Sequence, residues 1–141
     1  SVLDLFGGTG QLGIEALSRG ASRAVFVDEQ EAACRLIREN LKKTHLEAQA
    51  QVIRGDYKRY LLSCREKFRI LFLDPPYAEV FLEEAIKIAT EIDILQSGGI
   101  IAAERPLGKD LPGEYPGFTR SKDYKYGKTL LAIYRKENGE L

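Results

Sequence analysis

The sequence contains no methionine and no tryptophan, and it has only two cysteines and one histidine. Two thiols are too few for a disulfide framework. Cys34 and Cys64, with His45 as the lone imidazole, also argue against a metal site. We therefore predict a cytoplasmic protein that needs no metal. The absence of methionine from a chain that starts directly in an apolar run indicates a fragment of a longer protein.

Long apolar runs and an excess of one charge are also missing. No run approaches the ~20 residues of a membrane helix, and residues 1–30 lack the pattern of a signal peptide. Lys+Arg and Asp+Glu both number 21, and this zero net charge mildly disfavours a nucleic-acid partner. Residues 117–136 nevertheless hold six basic side chains against one acid. On charge alone, a solvated hairpin surface is the favoured interpretation of that segment.

Apolar runs alternate with helical periodicity along the chain. Buried strands are predicted at residues 2–6, 24–27, 50–54, 70–73 and 100–104. Helices are predicted at residues 11–19, 29–43, 57–64 and 79–90. A loop over 105–117 leads to a hairpin with arms 118–124 and 129–134 and with Tyr126 and Gly127 in its turn. This order predicts a single α/β domain over residues 1–141, a doubly wound, Rossmann-like parallel sheet with helices on both faces.

A glycine-rich loop joins the first strand to the first helix. Residues 8–13 read Gly-Thr-Gly-Gln-Leu-Gly, which fits the G-x-G-x-x-G pattern. Glycine lets the backbone approach a ligand closely, and the helix N-terminus offers free N–H groups. Asp28 ends the second strand and is placed to accept both hydroxyls of a ribose. NAD enzymes and S-adenosylmethionine enzymes share this pattern, and a turn without a ligand also explains it.

Two further carboxylates favour S-adenosylmethionine. Asp4 lies beside the glycine loop, where it suits the cationic amino group of a methionine moiety and would repel a pyrophosphate. It also has a plainer use, as an acceptor for loop amides. Asp56 ends the third strand, where it can accept from an adenine amine with Tyr57 beside the ring, or cap the following helix. Three carboxylates at adjacent strand ends lie where open α/β sheets bind ligands.

The segment Asp74-Pro75-Pro76-Tyr77 follows the fourth strand directly. Asp74 and a proline carbonyl can together accept both hydrogens of one exocyclic –NH₂ group, which directs the nitrogen lone pair at a methyl donor. Tyr77 offers a flat face to the base. Fixing nitrogen, carbon and sulfur in line is the main catalytic task, because the sulfonium already activates the methyl group. The alternative is a proline-terminated turn with an incidental aspartate.

Residues 4–10 and 74–77 resemble motifs I and IV of class I amino-methyltransferases, and residues 3–21 and 72–77 are similar to the RsmD family. The resemblance covers essentially the whole chain. It implies methylation of guanine N2 in small-subunit ribosomal RNA, within a small-subunit particle, by a monomer that uses S-adenosylmethionine. It also implies seven strands in the order 3-2-1-4-5-7-6, with the last strand antiparallel. The family's arm before the first strand is missing here.

The residues and the resemblance together predict two groups of site residues. Catalysis is assigned to Asp74, Pro75, Pro76 and Tyr77. Cofactor binding is assigned to Asp4, Phe6, Gly7, Gly8, Thr9, Gly10, Asp28, Glu29, Asp56 and Tyr57. For Glu104, a surface carboxylate at a strand end is favoured over a contact with the base, and Tyr126 has no assigned role.

Three alternatives remain open at this stage. A DNA adenine or cytosine amino-methyltransferase shares residues 74–77, but no insertion is long enough for a target-recognition region. An NAD-dependent oxidoreductase explains the glycine loop and Asp28 but leaves residues 74–77 without a role. A cofactor-binding scaffold without catalysis is a third reading, although such proteins tend to lose one of the two motifs.

Overall fold

The computed structural model describes residues 1–74, 78–104, 111–127 and 129–137. In these residues the strands are β1 Val2–Leu5, β2 Ala24–Asp28, β3 Ala50–Arg54, β4 Phe68–Leu73, β5 Leu95–Glu104, β6 Glu114–Tyr115, β7 Phe118–Arg120, β8 Tyr124–Tyr126 and β9 Thr129–Lys136. The helices are α1 Gln11–Ser18, α2 Glu31–Lys43, α3 Tyr57–Ser63 and α4 Ala78–Glu91, with a short 3₁₀ turn at Glu47–Gln49. No helix of the described residues is long and apolar enough to cross a membrane.

The strands form one mixed sheet in the order β3-β2-β1-β4-β5-β9-β7-β6, and β8 also pairs with β9. Strands β1 to β5 are parallel, and β9 is antiparallel to β5. The predicted order 3-2-1-4-5-7-6 is confirmed, with β9 in the place of the last strand and β7 in the place of the sixth. Leu5 is level with Val27 of β2 and with Leu73 of β4. The chain therefore leaves these three strands at one edge of the sheet.

The central strands are buried because their apolar runs face helices on both sides. All four residues of β1 are buried, and so are the first four of β2. On one face, Cys34, Ile37 and Leu41 of α2 present the predicted helical stripe to the sheet. On the other face, α3 and α4 cover a larger core cluster. This packing fixes the strand ends that carry the site.

Gly13 lets α1 lie directly on β2. A Cβ at this position would lie 2.4 Å from Cε2 of Phe26 and 3.1 Å from Oδ2 of Asp4. We expect Gly13→Ala to lower the free energy of unfolding by about 1–3 kcal/mol, because overpacking a rigid ring outweighs the better helix propensity of alanine. Urea unfolding measures the change. Gly113→Ala is the matched control, since an added Cβ meets nothing within 4 Å there. Equal stabilities of the two variants would contradict the close packing.

The C-terminal half departs from the sequence prediction in two places. The fifth strand was predicted to begin at residue 100, but β5 starts at Leu95 and runs through Gly98 and Gly99. The positive φ of 76° at Gly98 lies where the β4–β5 pairing is irregular, between Phe68↔Leu95 and Ile70↔Ile100. That glycine therefore allows a bulge inside a strand. The predicted hairpin is present, but residues 121–123 divide its first arm into β7 and β8.

Candidate active site

The glycine loop turns sharply at the end of β1. Phe6, Gly8 and Gly10 all have left-handed φ values, of 60°, 60° and 80°. The N–H groups of Phe6 and Gly7 donate to the carbonyl of Val27, at 2.8 and 3.2 Å. A left-handed φ at a residue with a side chain, such as Phe6, costs about 1–3 kcal/mol, so the surrounding contacts must hold the turn in place. The turn opens a groove above the ends of β1, β2 and β4.

Two adjoining cavities form this groove. The larger, of about 490 Å³, is lined by Asp4, Phe6, Gly7, Gly8, Thr9, Gln11, Leu12, Asp28, Gln30, Ala33 and Asp74. The smaller, of about 300 Å³, is lined by Phe6, Val27, Asp28, Glu29, Gln30, Gly55, Asp56, Tyr57, Lys58 and Phe81. Every predicted cofactor residue except Gly10 lines one of the two. Gly10 is buried beneath the loop, where a Cβ would meet Ile14 and Ile37 at 3.3 Å.

Eight residues that line the groove were not among the predicted site residues: Gln11, Leu12, Val27, Gln30, Ala33, Gly55, Lys58 and Phe81. Gln30 and Ala33 face the groove because α2 starts directly after the strand end that carries Asp28. Phe81 comes from α4, which follows a different strand. Only the helical phase of α4, together with its packing against α3, brings that ring to the smaller cavity.

Among the described residues, Asp4 is the only buried residue whose side chain is of a polar or charged type, with 4% of its surface exposed. Its Oδ2 accepts a hydrogen bond of 3.1 Å from the Gly13 N–H. Burial raises the pKa of Asp4 to about 8, and repulsion from Asp74 and Asp28 adds to the rise while the Gly13 N–H opposes it. The carboxyl is therefore mostly neutral at pH 7 when no cation faces it. A bound cation is the partner that would ionise it.

Asp28 ties the glycine loop to the start of α2. Its Oδ2 accepts from the Gly8 N–H at 3.1 Å, and its Oδ1 accepts from the Gln30 N–H at 2.9 Å. Asn40 of α2 adds a second brace by donating from Nδ2 to the Thr9 carbonyl at 2.9 Å. Each carboxylate oxygen has a further lone pair, so both oxygens of Asp28 can still accept from a ligand hydroxyl.

Asp56 caps the N-terminus of α3, which was one of the two roles predicted for it. Its Oδ2 accepts from the Arg59 N–H at 3.1 Å, and its role toward an adenine stays a prediction. Tyr57 forms a fixed wall of the smaller cavity. The centroid of its ring lies 4.8 Å from the centroid of the Phe6 ring, and its hydroxyl donates to Oε1 of Glu84 at 2.7 Å. Burial and this bond to a carboxylate raise the pKa of Tyr57, so the phenol stays protonated.

Asp74 and Glu104 meet at the ends of neighbouring strands. The pairing of Leu73 with Ala103 in β4 and β5 places the two following residues, Asp74 and Glu104, side by side. Asp74 is exposed by surface area, yet enough protein surrounds its carboxyl group to raise its pKa to about 7, with the Glu104 carboxylate adding to the rise. Pro75, Pro76 and Tyr77 lie outside the described residues, so their roles stay predictions.

Some basic side chains of residues 117–136 make contacts within the protein. Arg120 donates to the Leu111 carbonyl at 2.7 Å and pairs with Asp123 at 3.1 Å. Lys136 pairs with Asp93 at 3.1 Å. A phosphate-binding face in this segment would therefore depend on its other basic residues. Among the described residues, no group of three or more His, Cys, Asp or Glu side chains is placed to hold a metal ion.

Comparison with known proteins agrees with this geometry. Residues 1–135 match the family model described as Conserved hypothetical protein 95. The chain is 40% identical over 137 residues to YlbH of Bacillus subtilis, named as a candidate rRNA methyltransferase, with 95% of the chain and 74% of the relative covered. It is 28% identical over 135 residues to the ribosomal RNA small subunit methyltransferase D of Escherichia coli, covering 96% of the chain and 68% of that protein.

A solved structure shows the same fold. The conserved hypothetical protein of Streptococcus pyogenes superposes with a TM-score of 0.87 at 32% identity, covering 96% of this chain and 85% of that one. The resemblance to RsmD proteins is thereby confirmed. The chain belongs to the Conserved hypothetical protein 95 family.

Proposed function

We propose that this protein transfers a methyl group from S-adenosylmethionine to an exocyclic base amine, guanine N2 in small-subunit ribosomal RNA. One observation carries the proposal: Asp4, Asp28 and Asp74, from the ends of β1, β2 and β4, line one groove beside a glycine loop. Two relatives are named for the methylation of ribosomal RNA, one of them for the small subunit, and this supports the substrate class. The choice of guanine N2 rests on the resemblance of residues 3–21 and 72–77 to the RsmD family.

The groove suits the three chemical parts of S-adenosylmethionine. The smaller cavity offers the rings of Phe6, Tyr57 and Phe81 to an adenine. Asp28 lines both cavities and has acceptors free for a ribose diol. In the larger cavity, Asp4 is a buried acid whose pKa is raised, and a cationic amino group would relieve its unfavourable ionisation. A pyrophosphate at the same place would face two further carboxylates, which argues against NAD.

The chemistry needs an acceptor for one proton. The cofactor supplies a methyl group on a sulfonium; as the new C–N bond forms and the C–S bond breaks, sulfur keeps the bonding pair and the amine must lose a proton. Asp74 is placed to hold an amine hydrogen and then to take that proton, because its pKa of about 7 makes it a stronger base than an ordinary carboxylate. The rest of the rate enhancement comes from alignment of nitrogen, carbon and sulfur.

The RNA must present an unstacked base, because the groove lies at the edge of a sheet and cannot admit a stacked pair. We propose that a monomer acts on the base within a small-subunit particle in the cytoplasm. Zero net charge implies that phosphate contacts are few, so RNA binding should be weak and should fall with salt.

The product identifies the substrate. With S-adenosylmethionine, we expect the protein to form N2-methylguanosine in small-subunit RNA or particles that lack the modification, measured by mass spectrometry of digested nucleosides. Duplex DNA in a parallel reaction should gain no N-methylated adenine or cytosine. A methylated DNA product without any RNA product would show that the protein is a DNA amino-methyltransferase instead.

A further inference from the structure

Glu104 is placed beside Asp74 by the sheet itself. The parallel register of β4 and β5 pairs Leu73 with Ala103, and the two acids follow those residues directly. On its other side Glu104 is level with Leu131 of β9, which is buried. Burial raises the pKa of Asp74, and the Glu104 carboxyl group is close enough to add to that rise. The two neighbouring acids present two adjacent hydrogen-bond acceptors when both are ionised.

Base edges differ in what they offer to such a pair. Guanine presents two adjacent donors, the N1–H and the N2 amine. Adenine presents its N6 amine beside N1, which is an acceptor in the neutral base. Two neighbouring carboxylates match adjacent donors, whereas a carboxylate that faces the lone pair of an unprotonated N1 is repelled and loses its hydrogen bond. A single acceptor such as Asp74 holds the amine of either base and does not distinguish them.

We propose that Glu104 determines the specificity for guanine by accepting its N1–H while Asp74 accepts from the N2 amine. This role rests on the proposed guanine-N2 activity. In the empty groove, Glu104 adds to the raised pKa of Asp74, and Asp74 adds to the raised pKa of Asp4, so three acids crowd one edge of the sheet. The entering base gives each of the two carboxylates a hydrogen-bond donor, and the proton that Asp74 carried goes to solvent. The purpose of the pair is therefore recognition as well as proton transfer.

The probe that isolates this contact is 2,6-diaminopurine. It retains the N2 amine but has a lone pair at N1 in place of the N1–H, and an amine at C6 in place of the carbonyl. The change that Glu104→Gln makes to the preference therefore assigns the N1 contact. Small-subunit RNA is prepared by ligating a synthetic segment that carries either guanine or 2,6-diaminopurine at the nucleotide that the wild-type protein methylates. We expect the wild-type protein to methylate guanine at least about 100-fold faster, because a site built to accept a hydrogen strongly rejects an analogue that lacks it.

The informative variant is Glu104→Gln, which keeps the shape of the side chain and can donate to N1 of 2,6-diaminopurine. We expect its preference for guanine to fall to about tenfold or less. Binding of S-adenosylhomocysteine, measured by calorimetry, should stay within about twofold of wild type, since Glu104 does not line the cofactor groove. Glu114→Gln, an exposed acid on β6, is the matched control and should keep the wild-type preference.

The outcomes separate the two proposals. If Glu104→Gln slows both bases by the same factor, Glu104 only supports Asp74 and the specificity role is wrong. If the wild-type protein methylates 2,6-diaminopurine as fast as guanine, the N1 contact does not exist. If the wild-type protein makes no N2-methylguanosine but methylates another nucleoside, the proposed function itself has failed, and this is seen before any variant is compared.

Discussion

Replacement of Asp74 by alanine is expected to slow methyl transfer by about 10²- to 10⁴-fold while S-adenosylhomocysteine binds nearly as tightly as to the wild type. The side chain lies at the end of β4, at the edge of the larger cavity, where an amine would enter. Its hydrogen bond to the amine strengthens as the nitrogen becomes positive, so it contributes to the transition state more than to the bound state. Loss of such a group lowers the rate without weakening the cofactor complex.

Single-turnover formation of N2-methylguanosine measures this rate, and calorimetry measures the affinity. In the wild type the rate should rise with pH through about 7, because Asp74 accepts only when ionised and its pKa is raised to about 7. The alanine variant should lack that rise. Asp93→Ala is the control, since this exposed acid pairs with Lys67 and Lys136 and lines neither cavity. A variant at Asp74 that keeps most of the rate would remove this residue from the chemistry.

Cofactor affinity is expected to rise by up to about tenfold per pH unit between pH 6 and 8, and Asp4→Asn should abolish this dependence. The cause is the buried Asp4 carboxyl, whose pKa is raised to about 8 in the empty groove. The α-amino group of the cofactor is largely cationic below about pH 7.5 and favours the ionised acid there, so the rise should flatten toward pH 8. Binding therefore releases a proton below pH 8, and affinity improves as that proton becomes easier to release.

The raised pKa of Asp4 also determines how the free energy of unfolding changes with pH. The folded protein keeps the Asp4 proton up to about pH 8, whereas the unfolded chain loses it near 3.8. Protein without cofactor should therefore lose stability as pH rises through this window, and Asp4→Asn should remove that loss.

The proton released on cofactor binding is counted by calorimetry in two buffers of different ionisation enthalpy, with Asp93→Ala as the control. An affinity that does not change between pH 6 and 8 would place the amino group away from Asp4.

The parallel half of the sheet was predictable because its signals are local. The strands β1 to β4 are short apolar runs closed by glycine, proline or aspartate, and the sequence places them within two residues of their observed bounds. The positions of Asp4, Asp28 and Asp74 at one edge follow from that topology, since parallel strands end together. The glycine loop was predictable for the same reason, because a strand, the glycines and a helix are consecutive in the chain.

The features that sequence reasoning missed depend on partners that are distant in the chain. Phe81 reaches the groove only through the phase of α4 against α3. Glu104 joins Asp74 only through the exact register of β4 with β5, which the bulge at Gly98 shifts by several residues. Arg120 was counted with an exposed basic segment, but its guanidinium lies over the ring of Tyr134 at 5.7 Å and pairs with Asp123. Residue type alone does not reveal such contacts.

The position of β9 also orders the assembly of the sheet during synthesis. The pairings of β1 with β2 and β4, and of β2 with β3, all lie within residues 2–73. The strand ends that carry Asp4, Asp28 and Asp74 can thus come together while the chain is still growing. Strands β5, β7 and β8 share one partner, β9, which follows all three of them in the chain. Until then β5 is an open edge, the point at which a nascent chain is most exposed to pairing with a neighbour.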